Sequence, residues 1–289
     1  HVVFTLPEVL NKTALHEPKM LYDILFESAW ETLQTFGKNK NLQMGMIAVL
    51  HTWGQNLSLH PHLHCIVPGG GVDENGAWKN IKNDGKFLFS VKALSKVFRA
   101  KFCEKLKANL KDKFNENQEN EYEKIRQSLW EKPWVVYAKK PFGSPKSVVE
   151  YLGRYTHKIA ISNQRIRKID AETVTFSYKD YRQKGIKKQM VLSHEEFIRR
   201  FAMHILPKRF VKIRHYGFLS STWKRIKLKN LQQKLGIQPK EKLPPKVFQP
   251  KCSCCKVGNL VTIATFDLRG PPQWFLEMSQ NLSAPKSAF

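Results

Sequence analysis

Three histidines, at positions 51, 62 and 64, are the side chains with the clearest chemical potential. His62 and His64 are two residues apart, so on an extended strand both imidazoles leave the same face of a sheet. Leu63 and Cys65 alternate with them and face the opposite side, as core residues do. Neutral imidazole binds many divalent cations, so this pattern is half of a metal site. The alternative for an isolated His-x-His is a pair of solvent-facing histidines.

An antiparallel hairpin brings the third histidine to the other two. The segments before and after the polar loop 54–61 have the composition of strands. If they pair with Trp53 opposite His62, His51 lies opposite His64, and directly opposed residues share a face. A shift of one residue would turn His51 to the other face. In that case the alternative third ligands are Gln55 and Asn56.

A second reactive group is a pair of tyrosines on a predicted helix that starts near Ser144. Tyr151 and Tyr155 are four residues apart, so both phenols project from one helix face. A phenol with a pKa of about 10 is a poor nucleophile at neutral pH. It becomes competent when a metal ion polarises the phosphate it attacks and nearby cations favour the phenolate. The alternative is that the tyrosines only pack the helix onto a sheet.

Composition indicates the class of partner. The chain has 289 residues and a net charge of +25, and 42% of its residues are hydrophobic. Such a composition supports a packed core, and so large a cationic surplus favours nucleic acid over an anionic membrane. No apolar run is long enough for a bilayer, and no signal peptide is recognisable. The five cysteines are odd in number, which favours a reducing, cytoplasmic setting.

The order of predicted elements indicates an α+β fold. The strand at 1–6, the helix at 19–36, the two hairpin strands, the helix at 91–111 and the strand at 134–138 follow one another as β-α-β-β-α-β. That is the ferredoxin-like split β-α-β arrangement, which places the histidine hairpin inside an antiparallel sheet. Downstream we predict a second hairpin, at 163–168 and 173–178, and a helix with a capping box at 193–196. We predict a catalytic domain at 1–220 and a basic C-terminal region at 221–289.

The two reactive groups together resemble a known family. His62-Leu63-His64 followed by Tyr151-Leu152-Gly153-Arg154-Tyr155 is similar to the two-tyrosine HUH transposases of rolling-circle insertion sequences. The similar segments are LHTWGQNLSLHPHLHCIVPGGG (50–71), YLGRYTHKIAISN (151–163), FSYKDYR (176–182), EEFIRRFAMHILP (195–207) and IRHYGFL (213–219). Individually these motifs are weak, but five in series are specific.

The resemblance implies a function. It implies an HUH nuclease core that cleaves single-stranded DNA, forms 5′-phosphotyrosine intermediates and transfers strands between element ends and target. Tyr151 and Tyr155 would be the nucleophiles, and His62 and His64 would hold Mg²⁺ or Mn²⁺, with His or Gln usual at the position of His51. Similar proteins begin with a cysteine-rich zinc-binding segment, so we expect further residues ahead of the first strand.

Other residues are predicted to contact DNA or zinc. The DNA-binding candidates are Arg154, His157, Lys158, Arg214, Lys224 and Arg225. Cys252 and Cys255 form a Cys-x-x-Cys pair, which is half of a structural Zn²⁺ site. Its remaining ligands would come from the residues expected ahead of the first strand or from a histidine, and the alternative is a vestigial cluster.

Two alternative functions are also compatible with the sequence. A plasmid-type replication initiator or relaxase shares the chemistry and differs in its target. A non-catalytic nucleic-acid-binding protein would instead use the histidines for structural zinc. The sequence does not determine the oligomeric state.

Overall fold

A computed structural model of the chain describes residues 1–82, 88–110, 125–139, 141–156, 159–237, 251–261, 265–266 and 270–282. Within these ranges, the side chains at 145, 152, 154–156, 182 and 279–282 are not described. The chain divides into two compact units, His1–Gln238 and Pro239–Phe289. No helix in the described ranges is both long and apolar enough to cross a membrane.

The described part of the chain contains both strands and helices. In order of sequence they are β1 (Val2–Thr5), α1 (Asn11–His16), α2 (Pro18–Lys38), β2 (Gly45–Trp53), β3 (Leu59–Ile66), β4 (Gly70–Val72), β5 (Trp78–Asn80), α3 (Val91–Leu110), β6 (Val136–Ala138), α4 (Pro145–Thr156), β7 (Ile166–Ile169), β8 (Thr173–Asp180), β9 (Ile186–Ser193), α5 (His194–Ala202), β10 (Ile213–Gly217), α6 (Ser221–Arg225), α7 (Lys227–Lys234) and α8 (Gln273–Leu282).

The main sheet confirms the predicted α+β fold. Its five strands lie in the order β10-β2-β3-β1-β6, and every neighbouring pair is antiparallel. Strands β1, β2, β3 and β6 with helices α2 and α3 between them reproduce the split β-α-β order, and β10 adds an edge beside β2. The histidine hairpin β2–β3 therefore lies inside the sheet, as predicted.

The hairpin register differs from the predicted one. His51 pairs with His62, Val49 pairs with His64, and the register shifts at a bulge between His51 and Trp53. Strand β3 begins earlier than predicted, at Leu59, and the predicted pairing of His51 with His64 was wrong by two residues; beyond the bulge, Trp53 pairs with Leu59 instead of His62. Because side chains alternate with a period of two, that shift leaves His51 on the predicted face.

The helices α2 and α3 cover only one face of this sheet. The buried α2 residues at helical spacing include Leu21, Leu25 and Ala29, as the amphipathic pattern predicted. From α3, Phe98 packs against Phe4 of β1 with ring centroids 4.9 Å apart. Burying each such side chain contributes about 1.5–3 kcal/mol. The core therefore lies on the helical side, and the imidazoles occupy the opposite face.

A second sheet, with strand order β7-β8-β9, packs on the hairpin loop. Its small core contains Leu57 from that loop together with Ala160, Ile161 and Phe176. The sequence predicted the pair β7–β8 but missed β9, whose segment IKKQMVLS does not alternate strictly between apolar and polar residues. Half of the predicted capping box is present, since Ser193 accepts a hydrogen bond from the Glu196 backbone N–H at 3.3 Å, whereas the Glu196 carboxylate forms ion pairs with Arg199 and Arg200.

The first compact unit extends beyond the predicted boundary at residue 220. Leu231 of α7 is buried in one cluster with Val72 and Phe218. Gly217 ends β10 with φ of +58°, and an added Cβ would lie 1.8 Å from the Met44 carbonyl oxygen. Only glycine tolerates this close approach. The segment after residue 220 therefore continues the fold through α7.

Candidate active site

The structure brings the three predicted histidines together. Nitrogen atoms of His51, His62 and His64 all lie within 4.8 Å of one another. The Nε2 atoms of His62 and His64 are 3.1 Å apart. Three converging imidazoles are a donor set that fits a divalent cation, because each offers a nitrogen lone pair when neutral. Among the described residues, this is the cluster with metal-binding geometry.

The surroundings of His62 keep its imidazole neutral and fix its tautomer. Nδ1 of His62 lies 2.6 Å from the His60 carbonyl oxygen. A carbonyl oxygen only accepts, so the proton resides on Nδ1 and Nε2 keeps its lone pair. Burial lowers the pKa of His62 to about 4. At neutral pH, Nε2 is therefore ready to bind a cation without losing a proton.

An aromatic side chain holds His51 in place. The His51 ring is only 3% exposed and stacks on the indole of Trp53, with centroids 4.6 Å apart and planes 17° apart. The Lys212 ammonium lies 5.2 Å above the same indole. This stack fixes the imidazole before any ligand arrives, which lowers the entropic cost of binding.

The loop joining the two ligand strands is clamped by basic side chains. Three consecutive backbone carbonyl oxygens of this loop accept hydrogen bonds from side chains. The Arg165 guanidinium donates to Gln55, the Arg200 guanidinium donates to Asn56 at 3.3 Å, and the His204 ring donates to Leu57 at 3.2 Å. The Asn56 side chain accepts from the Ser58 hydroxyl at 2.7 Å. Because His51 belongs to the imidazole cluster, the alternative third ligands Gln55 and Asn56 are not needed.

Tyr151 lies directly beside the histidines. Helix α4 places its phenol oxygen 3.1 Å from His64 Nδ1 and 2.5 Å from His1 Nε2. The Phe142 ring packs against the phenol at 5.1 Å between centroids, and only 7% of Tyr151 is exposed. A hydroxyl held between two imidazoles can give up its proton to one of them. This is the arrangement expected of an activated nucleophile.

His1 is a site residue that sequence reasoning missed. Its Nε2 lies 3.0 Å from His64 Nδ1, and the two rings stack with centroids 5.2 Å apart. The β1–β3 register sets Val3 opposite His64, so His1 shares that face by alternation. The signal was the period of two on β1, but it needed a pairing of β1 with β3 that the sequence alone did not supply.

Several predicted residues cannot be placed. His157 and Lys158 lie outside the described residues, as do the side chains of Tyr155 and Arg154. Tyr155 does belong to α4, four residues after Tyr151. Its role as second nucleophile stays a prediction.

Arg214 lies on the side of the sheet away from the imidazoles. It pairs across β10–β2 with Ala48, on the helix-covered face. Its guanidinium forms an ion pair with Asp23 and lies 4.2 Å from the Phe26 ring centroid. In this placement the cation pairs with a carboxylate of α2, and the DNA contact of Arg214 stays a prediction.

Lys224 and Arg225 are exposed on the short helix α6. Burial and the positive charge of Lys224 both lower the pKa of His215. His215 pairs with Ile47, on the same sheet face as the imidazole cluster. Lys224 is therefore close enough to His215, on this side of the sheet, to affect its charge.

The cysteine pair forms a tight turn in the second unit. The Gly258 N–H lies 3.3 Å from Cys255 Sγ, and the Cys252 N–H donates to the Gly258 carbonyl at 2.7 Å. Backbone N–H groups of Cys255 and Cys254 lower the pKa of the Cys252 thiol. A thiolate is the form that binds zinc. In the described ranges, no cluster of three or more converging metal-binding side chains includes the pair, so the zinc site stays a prediction.

Sequence comparisons show which known proteins this chain resembles. The family described as "Putative transposase" (Y2_Tnp) matches residues 45–226. A protein of Sinorhizobium fredii (strain NBRC 101917 / NGR234), named "Putative transposase y4qJ", is 40% identical over 94% of this chain and 75% of its own length. The "Transposase for insertion sequence element IS801" of Pseudomonas savastanoi pv. phaseolicola is 30% identical over 76% of this chain and 54% of its own length.

Proposed function

The chain belongs to the Y2_Tnp transposase family, and from this premise we propose that it is a metal-dependent single-stranded DNA endonuclease and strand transferase that mobilises an insertion sequence by rolling-circle transposition. The observation that carries the proposal is the 3.1 Å contact between the Tyr151 phenol and His64, which belongs to the imidazole cluster. A nucleophile and a cation-binding cluster within one hydrogen bond fit phosphoryl transfer.

His51, His62 and His64 would hold the cation, which we propose to be Mg²⁺ or Mn²⁺. Imidazole ligands alone favour Zn²⁺ or Ni²⁺ by affinity, whereas phosphate chemistry favours the oxygen-preferring ions. When bound, the cation supplies Lewis-acid polarisation of the scissile phosphate. The three imidazole nitrogens would be its protein ligands.

The chain's own residues carry out the rest of the cleavage step. The Tyr151 oxygen attacks phosphorus, forming a 5′-phosphotyrosine bond as the bond to the 3′-oxygen of the neighbouring nucleotide breaks. His1 Nε2, at 2.5 Å, is the nearest acceptor for the phenol proton. The departing 3′-oxygen ends as a hydroxyl after taking up a proton. The phosphodiester energy is conserved in the new linkage, so no nucleotide cofactor is required.

The second tyrosine would make strand transfer possible. Tyr155 follows Tyr151 by four residues on α4, a rise of about 6 Å along the helix axis. A second phenol can cleave another site while the first still holds its strand. The freed 3′-hydroxyl then attacks the other phosphotyrosine, which joins element end to target. Both ends of an element can thus be processed by one polypeptide.

The charge of the protein suits a polyanionic substrate. Besides Lys224 and Arg225, the exposed surface of the second sheet presents Arg167, Lys179 and Lys187 near the hairpin loop. Binding of cations to phosphates releases counterions and dominates affinity for nucleic acid. We propose that the bound strand runs across these cations to the histidine face.

The principal alternative is a binding protein whose histidines hold structural zinc. In that case removal of the metal with a chelator would unfold the hairpin region. In the proposed enzyme, the hairpin stays folded without metal, because the loop clamp and the sheet already hold it. The unfolding midpoint with and without chelator separates these two functions.

The proposed function is tested by trapping the covalent intermediate. Labelled single-stranded oligonucleotides carrying the element ends are incubated with the protein and Mn²⁺, then separated under denaturing conditions. We expect a denaturant-stable adduct that disappears with chelator and with Tyr151→Phe plus Tyr155→Phe. Tyr137→Phe, at an exposed tyrosine on β6, is the matched control that should keep the adduct. An adduct that survives in the double variant would refute the assignment.

A further inference from the structure

An apolar groove opens on the histidine-bearing face of the main sheet. Its volume is about 650 Å³, which is within the range of small-ligand sites. The floor includes Ile47 of β2 and Ile66 of β3, which pair with each other on the imidazole face. Its walls include Leu88, Val148 of α4 and Leu219. Helices α2 and α3 pack mainly on the other side of the sheet, and the groove borders the core at Val2 and Phe89.

The groove is continuous with the candidate active site. His1 and Phe142 both line it, and both also contact Tyr151, at 2.5 Å between His1 Nε2 and the phenol oxygen and at 5.1 Å between the rings of Phe142 and Tyr151. When the reacting group of a substrate lies at the phenol, the adjacent part of that substrate can therefore enter the groove.

We propose that this groove binds an unpaired nucleobase of the DNA strand, next to the phosphate that Tyr151 attacks. The inference rests on the proposed function, because it assigns part of that substrate to a second site. A nucleobase has an apolar π face, which suits aliphatic and aromatic walls, and its backbone carries negative charge. The exposed Lys139 lies at the rim, and no acidic side chain is among the described lining residues.

The surface chemistry favours this occupant over an apolar peptide. The groove belongs to a chain with a net charge of +25, and its rim is cationic. A polyanion with apolar side groups matches both the rim and the walls, whereas an apolar peptide matches the walls alone. Phe142 provides an aromatic ring on which a base can stack, and its contact with Tyr151 links base position to the nucleophile.

This site would give the enzyme its preference for single strands. In a duplex the bases are paired and stacked, so a base reaches the groove only after it has been unpaired. A single strand has already lost that pairing. The preference would therefore come from an apolar contact that excludes paired bases, with no need for base-specific hydrogen bonds.

The test compares two probes with the same phosphates. One is an oligothymidylate of about 20 nucleotides, and the other is an abasic oligomer of equal length, with a tetrahydrofuran at each sugar position. The ratio of their Kd values isolates the contribution of the bases, since the counterion effects cancel. We expect the wild-type protein to prefer the oligothymidylate by at least about tenfold, as base stacking on apolar side chains predicts.

Two adjacent valines on α4 supply matched variants. Val148 lines the groove, whereas Val149 is 68% exposed outside it. Val148→Asp should lower the base preference towards one, and Val149→Asp, with the same change in charge, should keep the wild-type preference. Val148→Thr, which is nearly isosteric, should lower it partially even if the aspartate variant fails to fold.

A wild-type preference near one, or an equal fall in both aspartate variants, would overturn the nucleobase site. An oligothymidylate preference that survives Val148→Thr unchanged would do the same. The covalent adduct of Tyr151 is scored separately on the same proteins. Base preference without an adduct would refute the proposed chemistry and leave the groove, whereas an adduct without base preference would refute the groove alone.

Discussion

The phenol oxygen of Tyr151 lies 3.1 Å from Nδ1 of His64, whose Nε2 lies 3.1 Å from His62 Nε2. A neutral imidazole carries one proton, so a cation held by Nε2 would leave that proton on Nδ1. His64 would then donate to the Tyr151 oxygen and stabilise negative charge there. The phenol proton has His1 as its remaining acceptor. His64 thereby links occupancy of the imidazole cluster to the reactivity of Tyr151.

The two tyrosines should be separable by phenylalanine substitution. Tyr151→Phe and Tyr155→Phe each remove one nucleophilic oxygen with little change in packing, so each should impair transposition. Either single variant should still nick an oligonucleotide through the remaining phenol. The double variant should bind DNA with wild-type affinity and form no adduct. Peptide mapping of a phosphotyrosine to Tyr178 or Tyr181 would contradict this assignment.

Removing the imidazole ligands should abolish cleavage without unfolding the protein. We expect His62→Ala and His64→Ala to lose detectable nicking, because their rings project from the sheet face opposite the helices. His51→Ala should weaken Mn²⁺ binding measured by calorimetry. His16→Ala, on the surface helix α1, is the control and should leave both unchanged. Unaltered Mn²⁺ affinity in His51→Ala would remove it from the ligand set.

His1 should be needed for the rate of adduct formation. His1→Phe keeps a ring beside Tyr151 and removes the proton-accepting nitrogen, so single-turnover adduct formation should slow by about 10²- to 10⁴-fold. Mn²⁺ and DNA affinities should stay close to wild type. The deficit should shrink as the pH approaches about 10, where a phenol ionises without help. A deficit that is constant with pH would indicate a packing role instead.

Acid should destabilise the metal-free protein through His62. Burial lowers the folded-state pKa of His62 to about 4, whereas an unfolded histidine has a pKa of about 6.5. Between these values the unfolded chain binds the proton and the folded chain does not, so stability is lost as the pH falls from about 6.5 towards 4. With a chelator present, the urea concentration at the unfolding midpoint should decrease when the pH is lowered from about 7.5 to about 5. The decrease should be smaller for His62→Gln. An equal fall in both proteins would contradict the prediction.

Cations on the histidine side should contribute to the salt dependence of DNA binding. Lys224→Ala with Arg225→Ala should reduce the slope of log K against log salt for single-stranded DNA by about 0.7 per lost phosphate contact. The control removes Lys96 and Lys107, two exposed cations of α3 on the opposite face. Equal slopes for the two double variants would show that binding is not confined to one side.

The sequence was sufficient to predict that the three histidines share one face of the sheet, because the alternation of side chains along a strand depends only on neighbouring residues. The period of two placed His51, His62 and His64 on one side, and a register error of two residues did not change this. The bulge at His51 and the early start of β3 escaped prediction because they depend on contacts of the loop with the second sheet.

His1 and Arg214 show where local patterns were insufficient. His1 reaches the site only through the pairing of β1 with β3, between segments about 60 residues apart. Arg214 was counted as a DNA contact from its charge alone. Its strand position turns it towards Asp23 and α2, and this could be seen only once β10 was paired with β2.

The burial of Tyr151 has a consequence for the lifetime of the covalent intermediate. With 7% of the residue exposed and the Phe142 ring against the phenol, bulk water has little access to a phosphorus atom bonded there. Hydrolysis would release the strand and dissipate the stored bond energy, and exclusion of water suppresses that side reaction. The linkage would then persist until a 3′-hydroxyl arrives to attack it. The fraction of covalent intermediates that rejoin a strand, and are not hydrolysed, would depend on how much water reaches the phosphorus atom.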